Sequence, residues 1–194
     1  MPSSSISAPS ATSFAERLKT GLAGESLITR WLLTRGWAIL PAYEKLESDF
    51  KGPRLLAPSG DLVSPDMIVF RYGEKGEIAW IEAKTKSAFT WFRIGQTWQD
   101  GIDKRHWLDY LKVSQLAPWP LWLMFLHGPG QFAKDTPEGL IPPTGLFGQT
   151  IDRLTQCIDH ESDRHGPSGM VYWNIGDLRR LCDWSDIAVL AKDK

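Results

Sequence analysis

The chain has 194 residues, enough for one domain with a substantial hydrophobic core. Its formal net charge of −1 excludes a general basic field, so any nucleic acid must bind through a local patch or through a metal ion. No apolar run approaches the roughly 18 residues of a membrane span. The two cysteines, Cys157 and Cys182, form no C-x-x-C pair, which predicts reduced thiols and a cytoplasmic location.

The first 13 residues are rich in serine and carry neither a long apolar segment nor arginine. This composition is unlike a signal or transit peptide and predicts a disordered N-terminal tail over residues 1–13. No internal repeat interrupts the remainder, so residues 14–194 are expected to form a single domain.

A helical period begins at Ser13 and continues to Arg35, with Gly36 as the predicted stop. Within this helix Glu25 falls on the same stripe as the predicted core residues. A buried acid is costly unless a cation or hydrogen-bond donors lie beside it, so Glu25 either contributes to a site or reaches solvent at the edge of the stripe. Gly21 and Gly24 would let another element approach this part of the helix closely.

The residues that follow predict a first strand and a loop. Trp37–Glu44 is a short apolar run that is expected to form the first strand of a sheet. Leu46–Leu55 predicts a polar loop, in which Lys51 and Arg54 either contact a substrate or are simply solvated. A small ribbon is then expected to turn at residues 58–60.

The segment Ser64–Lys86 carries the most informative pattern in the chain. Two apolar runs rich in β-forming residues, separated by a charged turn with two glycines, predict a β-hairpin. Three charged residues stand where such strands are usually apolar: Asp66 in the first strand, and Glu82 and Lys84 in the second. Side chains alternate along a strand, so Glu82 and Lys84 point to the same face, and strand pairing can bring Asp66 beside Glu82.

This hairpin predicts a particular chemistry. Two converging carboxylates repel each other unless a cation lies between them, and hard oxygen ligands of this kind suit Mg²⁺ or Mn²⁺. A lysine one pleat further along the strand can hold an attacking water or offset the charge of a phosphate. These groups together favour metal-assisted phosphodiester hydrolysis. The alternative is a pair of surface strands with a chance Glu-Ala-Lys sequence.

Pro65-Asp66 followed by Glu82-Ala83-Lys84 resembles the signature of the PD-(D/E)xK nucleases, a superfamily that includes many restriction enzymes, Holliday-junction resolvases and phage exonucleases. The resemblance covers roughly residues 14–127. It implies a restriction-endonuclease-like α/β fold with an α-β-β-β-α-β core, in which helices flank a mixed central sheet. Residues 128–194 would be a family-specific C-terminal extension.

The resemblance also implies roles for individual residues. Asp66 and Glu82 would bind Mg²⁺ or Mn²⁺ together with the backbone carbonyl of Ala83, and Lys84 would position or help deprotonate the attacking water. Many members carry a glutamate on the first helix that reaches the metal, and Glu25 is the residue of this chain that matches it. The resemblance thus implies four catalytic side chains, three of which are carboxylates that would bind the metal or its water.

The residues after the hairpin supply candidates for contact with nucleic acid. Aromatic side chains alternate with basic and polar ones between residues 86 and 98, as in surfaces that stack on bases, although the same aromatics could cover the core. Gly101–Gln115 is expected to form the second helix, beside the site. His106 of this helix is either an ordinary core or edge residue or a contact to the substrate. The predicted nucleic-acid-binding residues are Lys86, Arg93, His106, Tyr110 and Gln115.

The remaining third of the chain predicts weaker elements. In order, they are a buried strand at Pro120–His127, an irregular stretch at 131–148, a short helix at Ile151–Ile158, a polar loop at 160–169, a last strand at Met170–Trp173 and a helical turn at Asp177–Cys182. The two histidines of the polar loop lie near acids but match no metal-ligand spacing.

Taken together, the sequence predicts a Mg²⁺-dependent deoxyribonuclease, an endonuclease of a repair, recombination or mobile-element type. The alternative is a catalytically silent nuclease-like module that binds nucleic acid or a protein partner. A third is an interaction protein built around its ten tryptophans. The expected partner is DNA, no membrane association is expected, and a homodimer is a further expectation by analogy with nucleases that cut two strands.

Overall fold

The structure of the protein is a computed structural model that describes residues 14–42, 54–58, 60–73, 76–86, 89–129 and 136–191. Of residues 14–20 only the backbone is described. The predicted tail and most of the predicted loop at Leu46–Leu55, including Lys51, therefore lie outside the described residues.

Four α-helices and twelve strands are formed by the part of the chain that the structure describes. In chain order they are α1 (Phe14–Thr34), β1 (Ala38–Pro41), β2 (Arg54–Ala57), β3 (Gly60–Val63), β4 (Met67–Arg71), β5 (Glu77–Lys86), β6 (Thr90–Phe92), β7 (Thr97–Asp103), α2 (Lys104–Leu116), β8 (Leu121–His127), β9 (Gly145–Thr150), α3 (Ile151–Gln156), β10 (His160–Ser162), β11 (Met170–Asn174), β12 (Arg179–Cys182) and α4 (Trp184–Ala188). None of the described helices is long and apolar enough to cross a membrane.

The main sheet has six strands in the order β1-β4-β5-β8-β9-β12. β5 pairs in parallel with β8, and the other neighbouring strands pair antiparallel, so the sheet is mixed. The predicted α-β-β-β-α-β order is present as α1, β1, β4, β5, α2 and β8, which confirms the predicted fold class. The predicted hairpin is β4 and β5, with Met67 opposite Ile81.

The two faces of the main sheet are covered by different helices. On one face α1 packs Ile28 and Leu32 against strand residues that include Val69. On the other face α2 packs Tyr110 and Val113 in a core that includes the inward side chains of β8. Because Glu82 and Lys84 alternate with core residues of the α1 face, their side chains lie on the α2 side, where the second core begins.

Smaller sheets flank this core. The predicted ribbon is β2 paired with β3. A second sheet in the order β10-β11-β7-β6 lies on the α2 side, and it joins the aromatic segment after the hairpin to the C-terminal part of the chain. The aromatics of that segment pack on one another, with the rings of Trp91 and Trp98 centred 5.0 Å apart.

The start of the second helix differs from the prediction. The helix begins at Lys104, because residues 97–103 form β7 and pair with β11. Asp103 is the N-cap, and its carboxylate accepts a hydrogen bond from the backbone N–H of Arg105 at 2.9 Å. Ile102 lies in β7, although its spacing from the residues of α2 in the sequence fits a helix. That spacing is therefore a coincidence.

The C-terminal third contains more strand than predicted. The stretch at 131–148, predicted to be irregular, ends in β9, and the polar loop at 160–169 begins with β10. The helical turn predicted at Asp177–Cys182 is wrong: a single 3₁₀ turn at Ile175–Asp177 precedes β12, which pairs with β9. Since β9 and β12 extend the main sheet, much of the predicted extension is part of the central architecture.

Candidate functional site

Asp66 lies immediately before β4, where the antiparallel ladder with β5 ends. The backbone N–H of Ala83 donates a hydrogen bond to Oδ2 of Asp66 at 2.8 Å. The backbone carbonyl of Asp66 accepts a further bond from the N–H of Ala42 at 2.9 Å. The first bond holds the Asp66 carboxylate, and the second holds its backbone, next to the second half of the predicted signature, so the predicted convergence of Asp66 with the Glu82 strand is confirmed.

Glu82 is the buried acid of the site, with a relative exposure of 2 %. Its Oε1 forms an ion pair with Nζ of Lys84, which confirms that the two side chains share a face. The Tyr110 hydroxyl hydrogen-bonds to the same carboxylate. Among the described residues, Oε2 of Glu82 is a buried acceptor with no hydrogen-bond partner.

The environment changes the protonation of both members of this ion pair. Burial raises the pKa of Glu82 to about 7, against the attraction of Lys84 and with a contribution from the negative charge of Asp66. Burial would lower the pKa of Lys84, but the charges of Glu82 and Asp66 outweigh it and raise this pKa above its ordinary value. Lys84 is therefore an ammonium cation at neutral pH.

The first helix approaches the site closely at Gly24. A Cβ placed there would lie 1.8 Å from Oγ1 of Thr85 in β5, so only glycine fits. The Thr85 hydroxyl also donates to the carbonyl oxygen of Gly21 at 3.5 Å. Glu25, the next residue of the helix, is half-buried, and its negative charge contributes to the raised pKa of Lys84. The predicted close approach is thus confirmed for Gly24, and Glu25 lies within electrostatic reach of the signature lysine.

Two of the predicted nucleic-acid-binding residues, Tyr110 and Lys86, contact other groups of the protein. Tyr110 is 1 % exposed and binds Glu82, so it orients the carboxylate instead of meeting a substrate. Lys86 turns inward, where its ammonium group donates to the carbonyl of Gly101 at 2.5 Å and lies 3.5 Å from Asp100. A direct contact of the buried Tyr110 with DNA is corrected on this ground, whereas a contact of Lys86, whose side chain is partly exposed, stays a prediction.

His106 lies on the same face of α2 as Tyr110, with ring centroids 6.2 Å apart. Burial and the positive charge of Lys84 lower its pKa, so its imidazole is neutral at neutral pH. Gln115 is exposed near the end of α2, about 13 Å along the helix axis from His106. Arg93 is exposed in the turn between β6 and β7. Of these three residues, His106 is the one that lies near a signature residue, Lys84.

A second group of buried polar side chains was missed from the sequence. Asp100 is 4 % exposed and its Oδ2 lies 2.7 Å from Nε2 of the fully buried His127. The ring of Phe89 stacks on His127 with centroids 3.7 Å apart. The partly exposed Lys86 lies beside this group, with Nζ 3.5 Å from Oδ1 of Asp100. The signal was available for His127, a polar residue in a strand that the sequence predicts, but not for Asp100, because its strand β7 was not predicted.

The described residues fit a divalent cation only in a limited way. They contain no group of three or more His, Cys, Asp or Glu side chains placed to hold a metal. They do offer the carboxylates of Asp66 and Glu82, and the partnerless Oε2 of Glu82 is an oxygen that a hard cation would satisfy. A site built from two carboxylates, a backbone carbonyl and water suits this donor set.

Comparison with known proteins gives a similarity of fold. No family model matches the chain, and no curated protein matches its sequence. Among solved structures it is similar to Hjc, a Holliday junction resolvase from Archaeoglobus fulgidus, with 8% identity, a TM-score of 0.44, and 87% of this chain and 93% of that chain covered. It is also similar to D212, a nuclease from a fusselovirus, with 9% identity, a TM-score of 0.42, and 95% of each chain covered. At such scores the case for a function has to come from the site.

Proposed function

We propose that this protein is a metal-dependent nuclease that hydrolyses phosphodiester bonds in DNA, with Mg²⁺ or Mn²⁺ as its cofactor. The observation that carries the proposal is the trio at one end of the β4–β5 ladder: half-buried Asp66 held by the N–H of Ala83, and buried Glu82 paired with the partly exposed Lys84. A hydrogen-bonded hairpin has no structural need for two carboxylates here, since burying them is costly without a cation.

The proposed roles follow from the contacts. Asp66 and Glu82 bind the cation with the carbonyl of Ala83, and the Tyr110 hydroxyl keeps the Glu82 carboxylate oriented. The bound ion would supply Lewis acidity toward the phosphate and lower the pKa of its water. Lys84, held as a cation, positions the attacking water or offsets the charge of the phosphate; its raised pKa makes it a poor base for deprotonating that water.

Glu25 and His106 complete the proposal. Glu25 lies on α1 at the close approach to β5, where it can orient a metal-bound water. His106 lies beside Lys84 as a neutral imidazole that can hydrogen-bond to a phosphate. Arg93 and Gln115 stay predictions as more distant contacts to DNA, as do the homodimer, the cytoplasmic location and the single-domain boundary at residue 14.

The decisive experiment is a cleavage assay on supercoiled plasmid, single-stranded circles and a four-way junction, each with Mg²⁺, Mn²⁺ or EDTA. The variant Asp66→Asn is the matched control, because an amide oxygen can still accept from Ala83 while the charge is removed. Metal-dependent cutting by the wild type and none by Asp66→Asn is the expected result. A folded wild type that cuts none of these substrates would reject the proposal and favour the silent nuclease-like module.

A further inference from the structure

An open cleft of about 760 Å³ lies on the α1 face of the main sheet, at the opposite end of β4 and β5 from the catalytic acids. Arg71 and Glu77 stand at its rim, and Glu77 precedes Glu82 by five residues of the same strand, about 17 Å. Neither Asp66 nor Glu82 lines it. The cleft is thus separate from the site proposed for hydrolysis.

Four tryptophans line the walls of this cleft: Trp31, Trp37, Trp119 and Trp122. The volume falls within the range of about 300–1,000 Å³ that is usual for sites that enclose a small organic group. Indole side chains present flat faces on which other rings stack. The walls are therefore suited to a planar group.

Three of these tryptophans are each covered by an arginine. The guanidinium carbon of Arg35 lies 3.9 Å from the ring centroid of Trp31, and the corresponding distances are 4.6 Å for Arg71 over Trp37 and 5.7 Å for Arg179 over Trp122. Arg71 also forms an ion pair with Glu77 at 2.6 Å. Glu77 is the acid that lines the cleft among the described residues, so the rim carries more positive than negative charge.

We infer that this cleft binds an unpaired strand of nucleic acid, with bases stacked on the partly exposed indoles of Trp37, Trp119 and Trp122 and phosphates on Arg35 and Arg179. Aromatic faces interleaved with arginines are the chemistry that holds single strands with little preference for sequence. The excess of positive charge favours this polyanion over an apolar or basic peptide. The inference rests on the proposed function, and it adds a second contact: a single-stranded part of the substrate held on the face opposite the hydrolytic site.

The test is direct binding of a 5′-labelled oligothymidine to the full chain in EDTA, followed by fluorescence anisotropy and by quenching of tryptophan emission. The test variant is Arg35→Glu with Arg179→Glu, since both residues are exposed. The matched control is Arg153→Glu with Arg164→Glu, which makes the same change in net charge at two exposed positions elsewhere. Duplex DNA of the same length serves as a second ligand.

We expect the wild type to bind the single strand with quenching of its tryptophans, and the test variant to bind it roughly tenfold more weakly or worse. The slope of log K against log salt should fall by about 1.4 for two lost phosphate contacts. The control pair should bind within about twofold of the wild type on the same reasoning. No binding by the wild type, equal binding by the test variant, or equal loss in both pairs would overturn the inference.

Binding and cleavage are read separately in this design. If the wild type binds the single strand through the cleft but cuts no DNA with Mg²⁺ or Mn²⁺, the proposed hydrolysis fails while the cleft site stands. If it cuts DNA and the test variant binds like the wild type, the cleft site fails while the hydrolysis stands.

Discussion

The N–H of Ala83 donates to Oδ2 of Asp66 at 2.8 Å, and this bond joins the two halves of the signature. Asp66 stands one residue before β4, beyond the last paired residues of the β4–β5 ladder. Its side chain, and not its backbone, therefore accepts the hydrogen bond from the next part of β5. The carboxylate thus has two separable properties, an acceptor oxygen and a negative charge.

Substitutions at Asp66 should separate these two properties. Asp66→Asn keeps an acceptor for Ala83, so the free energy of unfolding should change by less than about 1 kcal/mol, whereas Asp66→Ala leaves that N–H unpaired and should lower it by about 1–3 kcal/mol. Both should abolish any rise in melting temperature on adding Mg²⁺. Urea denaturation and thermal melts with and without Mg²⁺ would check this; a Mg²⁺-dependent rise that persists in Asp66→Asn contradicts it.

Glu82 should make stability depend on pH. Its pKa is about 7 in the folded protein, because of burial, and 4.5 ordinarily. Between pH 4.5 and about 7 the folded state therefore binds one proton that the unfolded state does not. The stabilisation from this proton is complete below pH 4.5 and is lost as the pH rises through about 7. The slope is about −1.4 kcal/mol per pH unit.

The measurement is urea denaturation in EDTA from pH 5 to pH 8, compared with Glu82→Gln, which carries no titrating group at this position. The variant should lose most of the decline in stability between pH 5 and pH 7. Parallel stability curves for the two proteins would show that Glu82 titrates normally.

Lys84 should affect the rate through its charge. Lys84→Met removes the cation paired with Glu82 and should lower kcat by about 10²-fold or more, since a cation near the developing charge is lost. It should also raise the pKa of Glu82 further, which moves the acid limb of the pH–rate profile to higher pH. Lys84→Arg keeps the charge and should leave that limb in place. A limb that stays unchanged in Lys84→Met would exclude coupling between the two residues.

The site was predictable because its residues break a local rule. Charges in an apolar strand are costly, so Glu82 and Lys84 stood out, and the period of two placed them on one face. The alternation also placed Lys86 on that face, but its partner Asp100 comes from β7, a strand that a helix-like spacing obscured. The role of Tyr110 was hidden for a similar reason, because a buried tyrosine on a helix does not reveal which acid it contacts.

The C-terminal strands were less predictable because their pairing partners are distant in sequence. Arg179–Cys182 is only four residues long, and it is a strand because β9 supplies the ladder. Such tertiary pairing overrides the weak local propensity of a short segment. The predicted ribbon at β2 and β3 was found, by contrast, because its two strands are joined by a local turn.

Two glycines of α1 should respond oppositely to alanine. Gly24→Ala places a methyl group 1.8 Å from Oγ1 of Thr85 and should destabilise the fold by about 1–3 kcal/mol. At Gly21 a Cβ meets nothing within 4 Å, so Gly21→Ala should stabilise it by about 0.5–1 kcal/mol through helix propensity.

Adding Thr85→Ala to Gly24→Ala should recover only part of the loss, since the Thr85 Cβ also lies 2.8 Å from the position that the new methyl group would take. Urea denaturation of the three variants gives the comparison. Equal effects at positions 21 and 24 would mean that α1 does not approach β5 as closely as described.

Asp100 should stabilise the fold independently of the metal site. Burial alone would raise its pKa, but the charge of Lys86 and the hydrogen bond with His127 lower it below the ordinary value of 3.8. Its contribution is therefore complete above about pH 4 and is lost as the pH falls below the folded pKa. Asp100→Asn removes the buried charge that partners both Lys86 and His127, and since the Lys86 side chain is itself partly exposed, the variant should lower the free energy of unfolding by about 1–3 kcal/mol at pH 7.

Urea denaturation at pH 7 and at pH 3 would test this, and the difference between the wild type and Asp100→Asn should shrink at the lower pH. The rise in melting temperature on adding Mg²⁺ should remain in the variant, because Asp66 and Glu82 keep their contacts. A variant as stable as the wild type at pH 7 would mean that Asp100 does not stabilise the fold through Lys86 and His127.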